Sequence, residues 1–340
     1  MHHSFPSPNV LAVRFSSIGD VLLTTPLFRA IRLRYPDSRI TVLTKQEHAP
    51  LLSHNPHLSR IIAIEPDRPT TSVASELRAG RYSHLLDLHD SLRSRVLRVL
   101  VPGNWSSYPK HRIERAALIH AKKNWYRDWR PVAERYFMAA RRLEVAPDGR
   151  PPEFFLAAEA KAEVDQWLAA SGIAQARPLI AVAPGAAHAT KRWPLHHWHS
   201  LIGQLVRQGR DVVVVGGVAD QAIAAALTAN NPTGLISAAG RFGLQGTGAL
   251  LQRAVALVSG DTGVMHMATA VGTPVVALFG PTVREFGFFP YTLAARVVEL
   301  DLSCRPCSSK GGPRCPLGHH RCLGDIGPEL VYSALSESLS

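Results

Sequence analysis

The sequence lacks any apolar run that approaches the roughly 20 residues needed to span a bilayer. Its first ten residues, MHHSFPSPNV, also lack a basic segment followed by an apolar stretch, which is the pattern of a secretory signal. Cysteine is scarce, because the 340 residues contain only 4, all between Cys304 and Cys322. These absences argue against a membrane-spanning chain, a secreted chain and a disulfide scaffold, and they favour a cytoplasmic protein.

Acidic residues are also few, 26 against 38 Lys and Arg, and the imbalance is confined to one part of the chain. Residues 1–150 contain 24 basic and 13 acidic side chains, an excess of 11, whereas residues 151–340 contain 14 and 13. Such an excess suggests a polyanionic partner for the first half: nucleic acid, an anionic membrane face or a phosphorylated substrate. The alternative is a scattered, solvated basic surface.

Short β-branched runs alternate with amphipathic stretches along the whole chain. At roughly 150 residues per domain, the length predicts two domains. The alternation predicts parallel sheets with helices on both faces, so the expected fold is α/β, with two Rossmann-like, doubly wound domains facing each other across a cleft. Pro147 to Pro152 is the predicted linker. The expected segments are 1–150, then 151–327 with a Cys-rich part at 302–323, then a C-terminal helix over 328–340. The strands and helices that this pattern predicts are Val10–Phe15, Val21–Tyr35 (helix), Arg39–Thr44, Arg60–Ile64, His84–Asp87, Ala157–Ser171 (helix), Leu179–Ala183, Pro194–Gln208 (helix), Asp211–Val215, Ala219–Thr228 (helix), Ala256–Ser259, Gly263–Ala270 (helix) and Pro274–Phe279.

The first predicted strand runs into Ser16-Ser17-Ile18-Gly19-Asp20 at the start of a helix. In doubly wound sheets ligands bind beyond the carboxyl ends of the strands, so this loop is expected to face a ligand. A carboxylate at Asp20 can accept a proton there. Ser and Asp are also favoured helix caps, and a cap needs no further function.

Two loops of the second half carry groups that suit a phosphate. After Leu179–Ala183 come Thr190, Lys191 and Arg192, which offer a hydroxyl and two cations beside a helix start. After Ala256–Ser259 come Asp261, Thr262 and Gly263, with His266 about one turn inside the next helix. No P-loop and no Gly-x-Gly-x-x-Gly pattern follows any strand. A solvated basic turn and a packed histidine are the alternatives. Together the loops suggest a nucleoside diphosphate.

The four cysteines have the spacing Cys304-x2-Cys307-x7-Cys315-x6-Cys322 in a segment poor in large apolar residues. Four thiolates at such spacing predict a closed structural zinc site, which has no open position for catalysis. The alternatives are four reduced thiols or a disulfide pair.

Taken in order, four motifs strongly resemble the glycosyltransferase family 9 heptosyltransferases of lipopolysaccharide core assembly. They are VRFSSIGDVLLTTPLFRAIRLRYPDSRITVLT, PGAAHATKRWP, GDTGVMHMATAVGTPVVALFGPT and the closing CRPC…RCPLGHHRCL. The resemblance implies a GT-B fold and transfer of heptose from ADP-heptose with inversion, without a catalytic cofactor. It implies Asp20 as general base and a donor site formed by Thr190, Lys191, Arg192, Asp261, Thr262, Gly263 and His266.

The resemblance also implies a Kdo-containing or heptose-bearing lipid A acceptor at the anionic cytoplasmic face of the inner membrane, which agrees with the basic first half. The protein would then be cytoplasmic and peripheral on that membrane. Candidate acceptor contacts are Ser17, Gly19, Arg93, Arg95, Lys110 and Arg112. The alternatives are a family 9 transferase of another sugar, or a non-catalytic protein that binds a nucleotide sugar or nucleic acid. No nucleic-acid reading motif is present, so no specific nucleic acid is expected.

Overall fold

In the computed structural model, which describes residues 7–173, 177–229 and 233–339, strands and helices alternate along the chain as predicted. The strands are β1 Asn9–Val13, β2 Arg39–Lys45, β3 Arg60–Ile64, β4 His84–Asp87, β5 Trp105–Ser107, β6 Leu179–Ala183, β7 Asp211–Val214, β8 Leu235–Ser237, β9 Ala256–Gly260, β10 Val275–Phe279 and β11 Ala295–Glu299.

The α-helices of the same residues pack around these strands. They are α1 Ile18–Leu22, α2 Thr25–Arg34, α3 Thr70–Ala79, α4 Leu92–Leu100, α5 Arg112–Ala116, α6 Val132–Ala139, α7 Ala158–Ala170, α8 Leu195–Arg207, α9 Gln221–Thr228, α10 Leu244–Arg253, α11 Gly263–Val271, α12 Arg321–Gly324 and α13 Pro328–Leu339. None of the helices found in the described ranges combines the length and the apolarity needed to cross a membrane.

The chain divides into two compact units. The first comprises the described residues up to Lys110 together with Val132–Phe155, and the second comprises His111–Pro131 and the described residues from Leu156 onward. The units differ from the predicted segments in two ways, because residues 111–131 group with the second unit and the boundary falls after Phe155. The last helix, α13, belongs to the second unit, where its Val331 and Leu335 enter the hydrophobic core.

The predicted linker is bound to the first unit by Arg29. This side chain of α2 is 3% exposed and donates to both carboxylate oxygens of Asp148, at 2.8 Å each, and to the backbone carbonyl of Pro151. It also lies 3.1 Å from Glu153 Oε2. Segment 147–152 is therefore anchored by a buried cation, which is why the boundary lies beyond it.

Each unit contains one all-parallel sheet with a switch point. The first has the order β3-β2-β1-β4-β5 and the second the order β11-β10-β9-β6-β7-β8. In each sheet the order in which strands are added therefore reverses beside the unit's first strand, between β1 and β4 and between β6 and β9. Ligands of doubly wound sheets bind at the carboxyl ends of such neighbouring strands. Two pairs of loops are thus singled out by topology alone.

The predicted helix Val21–Tyr35 is wrong as one element, since it forms α1 and α2. The Thr24 hydroxyl donates to the Val21 carbonyl and the Thr25 hydroxyl to that of Leu22, which ends the first helix. Pro26 has no N–H to continue the ladder but suits the first turn of a new helix. The break keeps α1 short, with Asp20 in its only turn.

Candidate active site

In the first unit, the segment that follows β1 brings Asp20 into contact with Arg14. The Arg14 Nη2 lies 2.5 Å from Asp20 Oδ1, and the Ser17 hydroxyl donates to Asp20 Oδ2 at 2.8 Å. The side chain of Asp20 is 17% exposed and that of Arg14 is 7% exposed, so the carboxylate is the more accessible partner. A guanidinium neighbour favours the charged form of a carboxyl group. Asp20 is therefore fixed as an oriented carboxylate at the switch point of this sheet.

Arg14 is held by several acceptors besides Asp20. It donates to the carbonyls of Leu88, at 2.6 Å, and Ser16, at 2.8 Å, and contacts the Tyr108 hydroxyl at 3.4 Å. Burial acts to lower the pKa of Arg14, but Asp20 and two tyrosines outweigh it, and the pKa stands above its ordinary value. The guanidinium is therefore a permanent, immobile cation behind the carboxylate.

His89, in the loop after β4, lies at the same carboxyl edge of the first sheet as Asp20. The sequence analysis missed it. Its ring packs against Phe15, with centroids 5.2 Å apart. Burial, assisted by Arg14 and Lys110, lowers the pKa of His89 to about 4, so the ring is neutral at neutral pH. The ammonium group of Lys110 donates hydrogen bonds to the carbonyls of His89 and Asp90. Only the strand order brings this loop beside Asp20, and no local motif signals it.

Of the predicted acceptor residues, Ser17 and Lys110 lie at this edge, and Gly19 is buried in α1. Arg93 donates to the Arg68 carbonyl and stands 5.5 Å above the Phe15 ring, while Arg95 pairs with Asp90 at 2.9 Å. Arg112 begins α5 and belongs to the second unit. The structure therefore does not group Arg112 with the other five predicted acceptor residues, because residues 111–131 belong to the second unit.

In the second unit, the loops after β6 and β9 meet through an ion pair. Lys191 Nζ lies 2.5 Å from Asp261 Oδ2, and the same oxygen accepts a hydrogen bond from the Thr282 hydroxyl at 2.8 Å. The approach is so close that a Cβ on Gly260 would stand 2.9 Å from the Lys191 carbonyl oxygen. Glycine is therefore needed at this point, and Thr282 is a site residue that the sequence analysis missed.

The helix that follows β9 begins at the same edge. Thr262 is the N-cap of α11, and its hydroxyl lies 3.1 Å from that of Ser259. The first turn of a helix has N–H groups without partners in the helix, and they suit an anion. Gly263 opens this turn, while His266 is buried one turn later. The predicted cluster of Asp261, Thr262 and Gly263 thus lies together with Lys191 at the carboxyl edge of the second sheet.

Thr190 and Arg192 flank Lys191 but have other partners. The buried Thr190 hydroxyl accepts from the Gly312 N–H at 2.8 Å and contacts the Gly312 carbonyl at 3.1 Å. The exposed Arg192 donates to the Ala186 carbonyl at 2.9 Å. The Thr190 hydroxyl therefore binds the Cys-rich segment, a partner 122 residues away that sequence spacing could not reveal.

The zinc site predicted at Cys304, Cys307, Cys315 and Cys322 stays a prediction. All four cysteines are free, and no group of three or more His, Cys, Asp or Glu side chains is placed to hold a metal ion within residues 7–173, 177–229 and 233–339. Cys322 packs in the hydrophobic core of the second unit. Burial raises the pKa of Cys322 to about 11 and also raises that of Cys307, and the neighbouring thiols of Cys304 and Cys315 act in the same direction on both. Cys304 and Cys315 are half-buried.

Two Rossmann-like units, one presenting an oriented carboxylate and the other a cation beside a helix N-terminus, define a GT-B glycosyltransferase. The sequence model of glycosyltransferase family 9 (heptosyltransferase) matches residues 70–316. The chain belongs to this family, and the predicted fold class and enzyme class are confirmed.

Relatives resemble the chain along its whole length. Lipopolysaccharide heptosyltransferase 2 of Salmonella typhimurium is 28% identical over 351 residues, which cover 97% of this chain and 98% of that protein. The solved structure of E. coli ADP-heptose LPS heptosyltransferase II has a TM-score of 0.75 and 26% identity, covering 97% and 98% of the two chains. A family 9 glycosyltransferase from Veillonella parvula has a TM-score of 0.82 at 24% identity, covering 98% and 97%. The last match supports the fold alone.

Proposed function

We propose that this enzyme transfers heptose from ADP-heptose to the inner core of a lipopolysaccharide acceptor, a Kdo-bearing or heptose-bearing lipid A. The family assignment supports heptose as the transferred sugar, and the names of the relatives support the donor and the acceptor. The observation that carries the proposal is Asp20, a carboxylate held at the switch point by Arg14 and Ser17.

In the proposed reaction, an acceptor hydroxyl oxygen attacks C1 of the heptose while the bond from C1 to the β-phosphate oxygen breaks. Asp20 takes the proton of that hydroxyl, ADP leaves with the bonding electron pair, and the configuration at C1 is inverted. A carboxylate is a weak base, so the proton must pass to it as the new bond forms. Its fixed orientation supports this role, because Arg14 holds Oδ1 and the Ser17 hydroxyl holds Oδ2.

The departing ADP gains negative charge, which fixed cations and N–H donors stabilise. We assign this stabilisation to Lys191 and to the first turn of α11, with Asp261 and Thr262 available for hydroxyl groups. Thr190 would then act by fixing the position of the loop. Arg192, which is exposed, and His266, which is buried, are proposed to complete the donor site. The mechanism requires no cofactor beyond these groups.

The test is to incubate the purified protein with ADP-heptose and truncated lipopolysaccharide acceptors and to read product masses. A gain of one heptose unit and release of ADP are expected, and transfer should persist in the presence of EDTA. NMR of the product should show the anomeric configuration inverted relative to the donor. Hydrolysis of ADP-heptose without a glycosylated product, or retention of configuration, would contradict the proposal.

A further inference from the structure

Helix α4 of the first unit has two apolar faces, and only one of them is covered. Leu97 is buried together with Ser94, whereas Leu92 and Val99 are 82% and 83% exposed and Val96 is exposed between them. Residues three and four apart lie on one face of a helix, so Leu92, Val96 and Val99 form a single outward stripe. Large apolar side chains grouped in this way on a surface mark an interaction site more often than scattered ones do.

The stripe is bordered by arginine. The sequence of α4, LRSRVLRVL, contains three arginines and no acidic residue. Arg95 and Arg98 have partly exposed side chains, although Arg95 pairs with Asp90 and Arg98 lies 3.9 Å from the buried Asp87. A pocket of about 670 Å³ opens beside the stripe and is lined by Asp90, Arg95, Arg98, Val99, Trp105 and Ser107.

We propose that the α4 face, formed by Leu92, Val96, Val99, Arg95 and Arg98, is the surface by which the enzyme docks on an anionic lipid bilayer. The inference rests on the proposed function, since it places the enzyme where a lipid-linked acceptor is found. Interfacial helices combine an apolar stripe with flanking cations, which contact the acyl boundary and the anionic headgroups respectively. The arginine-lined pocket fits a headgroup phosphate.

A second copy of the chain is a less suitable occupant of the same face. A two-fold contact would place the stripe of one copy against that of the other and bring their Arg95 and Arg98 side chains together. Like charges repel, whereas an anionic surface attracts both arginines. The charge on the α4 face therefore favours lipid over self-association.

The test compares wild type with the double variant Leu92→Gln, Val99→Gln in flotation with vesicles. The vesicles contain phosphatidylcholine with phosphatidylglycerol, or phosphatidylcholine alone. Wild type should bind the anionic vesicles, less so at high salt. The double variant should lose about tenfold in partitioning, which corresponds to about 1.4 kcal/mol.

The matched control is Leu293→Gln, Val218→Gln, which changes the same residue types at positions of the second unit that are 98% and 71% exposed. It should bind vesicles like wild type. The single variants Leu92→Gln and Val99→Gln provide the same comparison if the double variant fails to fold. The proposal would be overturned if wild type failed to bind anionic vesicles, or if both double variants lost binding equally. It would also be overturned if wild type formed a dimer that the Leu92→Gln, Val99→Gln substitutions dissociate.

Transfer to a delipidated, water-soluble acceptor separates docking from the reaction. The Leu92→Gln, Val99→Gln protein should transfer to this acceptor at the wild-type rate but lose rate on acceptor embedded in vesicles. A loss on both acceptors would overturn the docking role. Failure of wild type to transfer heptose to either acceptor would overturn the proposed function, while the vesicle comparison would still decide the role of the α4 face.

Discussion

Replacing Asp20 by Asn tests the proposed base and the ion pair at once. The amide keeps the shape of the side chain but cannot accept the proton of the acceptor hydroxyl. Loss of a general base lowers the rate by about 10²–10⁴. Donor binding should change little, because the proposed donor contacts of Lys191 and Gly263 belong to the second unit.

The same substitution removes the counter-charge of a nearly buried guanidinium. Breaking a fully buried pair by removing one partner costs about 3–5 kcal/mol. Arg14 retains the carbonyls of Leu88 and Ser16, and Asp20 is partly exposed, so we expect a smaller loss of about 1–3 kcal/mol in the free energy of unfolding. The Asp20→Asn enzyme should therefore be much slower and moderately less stable.

Three measurements separate these effects: the transfer rate, the affinity for ADP by calorimetry and the midpoint of urea unfolding. Asp37→Asn is the matched control, because it removes an exposed carboxylate of the same unit and should leave all three unchanged. Near-normal turnover by the Asp20→Asn protein would refute the role of base. An ADP affinity that falls as far as the rate would show that Asp20 acts on the donor.

Three further predictions concern the ion pair of Lys191, the loop contact of Thr190 and the segment anchored by Arg29. Lys191→Ala should weaken ADP binding by roughly 1.5–3 kcal/mol in calorimetry. Adding Asp261→Asn should restore part of the lost affinity, because it removes the carboxylate that Lys191→Ala leaves uncompensated. If the second substitution restored no affinity, the pairing of Lys191 with Asp261 would be contradicted. Thr190→Val should lower the free energy of unfolding by about 1–3 kcal/mol in urea titrations, while Thr190→Ser should retain it; equal stability of all three proteins would contradict the bond to the Cys-rich segment. The pKa of Asp148 is lowered, because its hydrogen bonds to Arg29 outweigh the opposing effect of burial, so the stability it contributes is present at neutral pH and is lost as the pH falls through that lowered pKa. Arg29→Met should flatten this acid dependence of the urea midpoint, and an unchanged dependence would refute the anchoring role.

Local pattern was sufficient for the buried strands of both sheets but not for short or edge elements. β1, β6 and β10 are β-branched or apolar runs that are buried or nearly so along their length, and such runs are distinctive. β5 and β8 have three residues each, too few to show a period. They are defined by pairing with β4 and β7, which is a tertiary property.

In the candidate site, too, contacts within one loop could be predicted from the sequence, whereas contacts between distant segments could not. Residues within one loop, such as Ser17 with Asp20, could be inferred from strand, turn and cap signals. Thr282 contacts Asp261, and Gly312 contacts Thr190, only through folding of segments outside those two loops. The burial of Cys322 could not be inferred from spacing, because it results from packing against Leu323 and the core.

Each of the two switch points contains an ion pair between a basic and an acidic side chain. In the first unit the cation is the more buried member, because Arg14 is enclosed by carbonyls and tyrosines and Asp20 is nearer to solvent. In the second unit the carboxylate of Asp261 is held by Thr282, and Asp261 and Lys191 are buried to nearly the same extent. The first edge therefore presents a carboxylate, and the second presents an ammonium group beside the start of a helix. We propose that one fold used twice thus supplies the proton acceptor and the anion site that transfer from a nucleotide sugar requires.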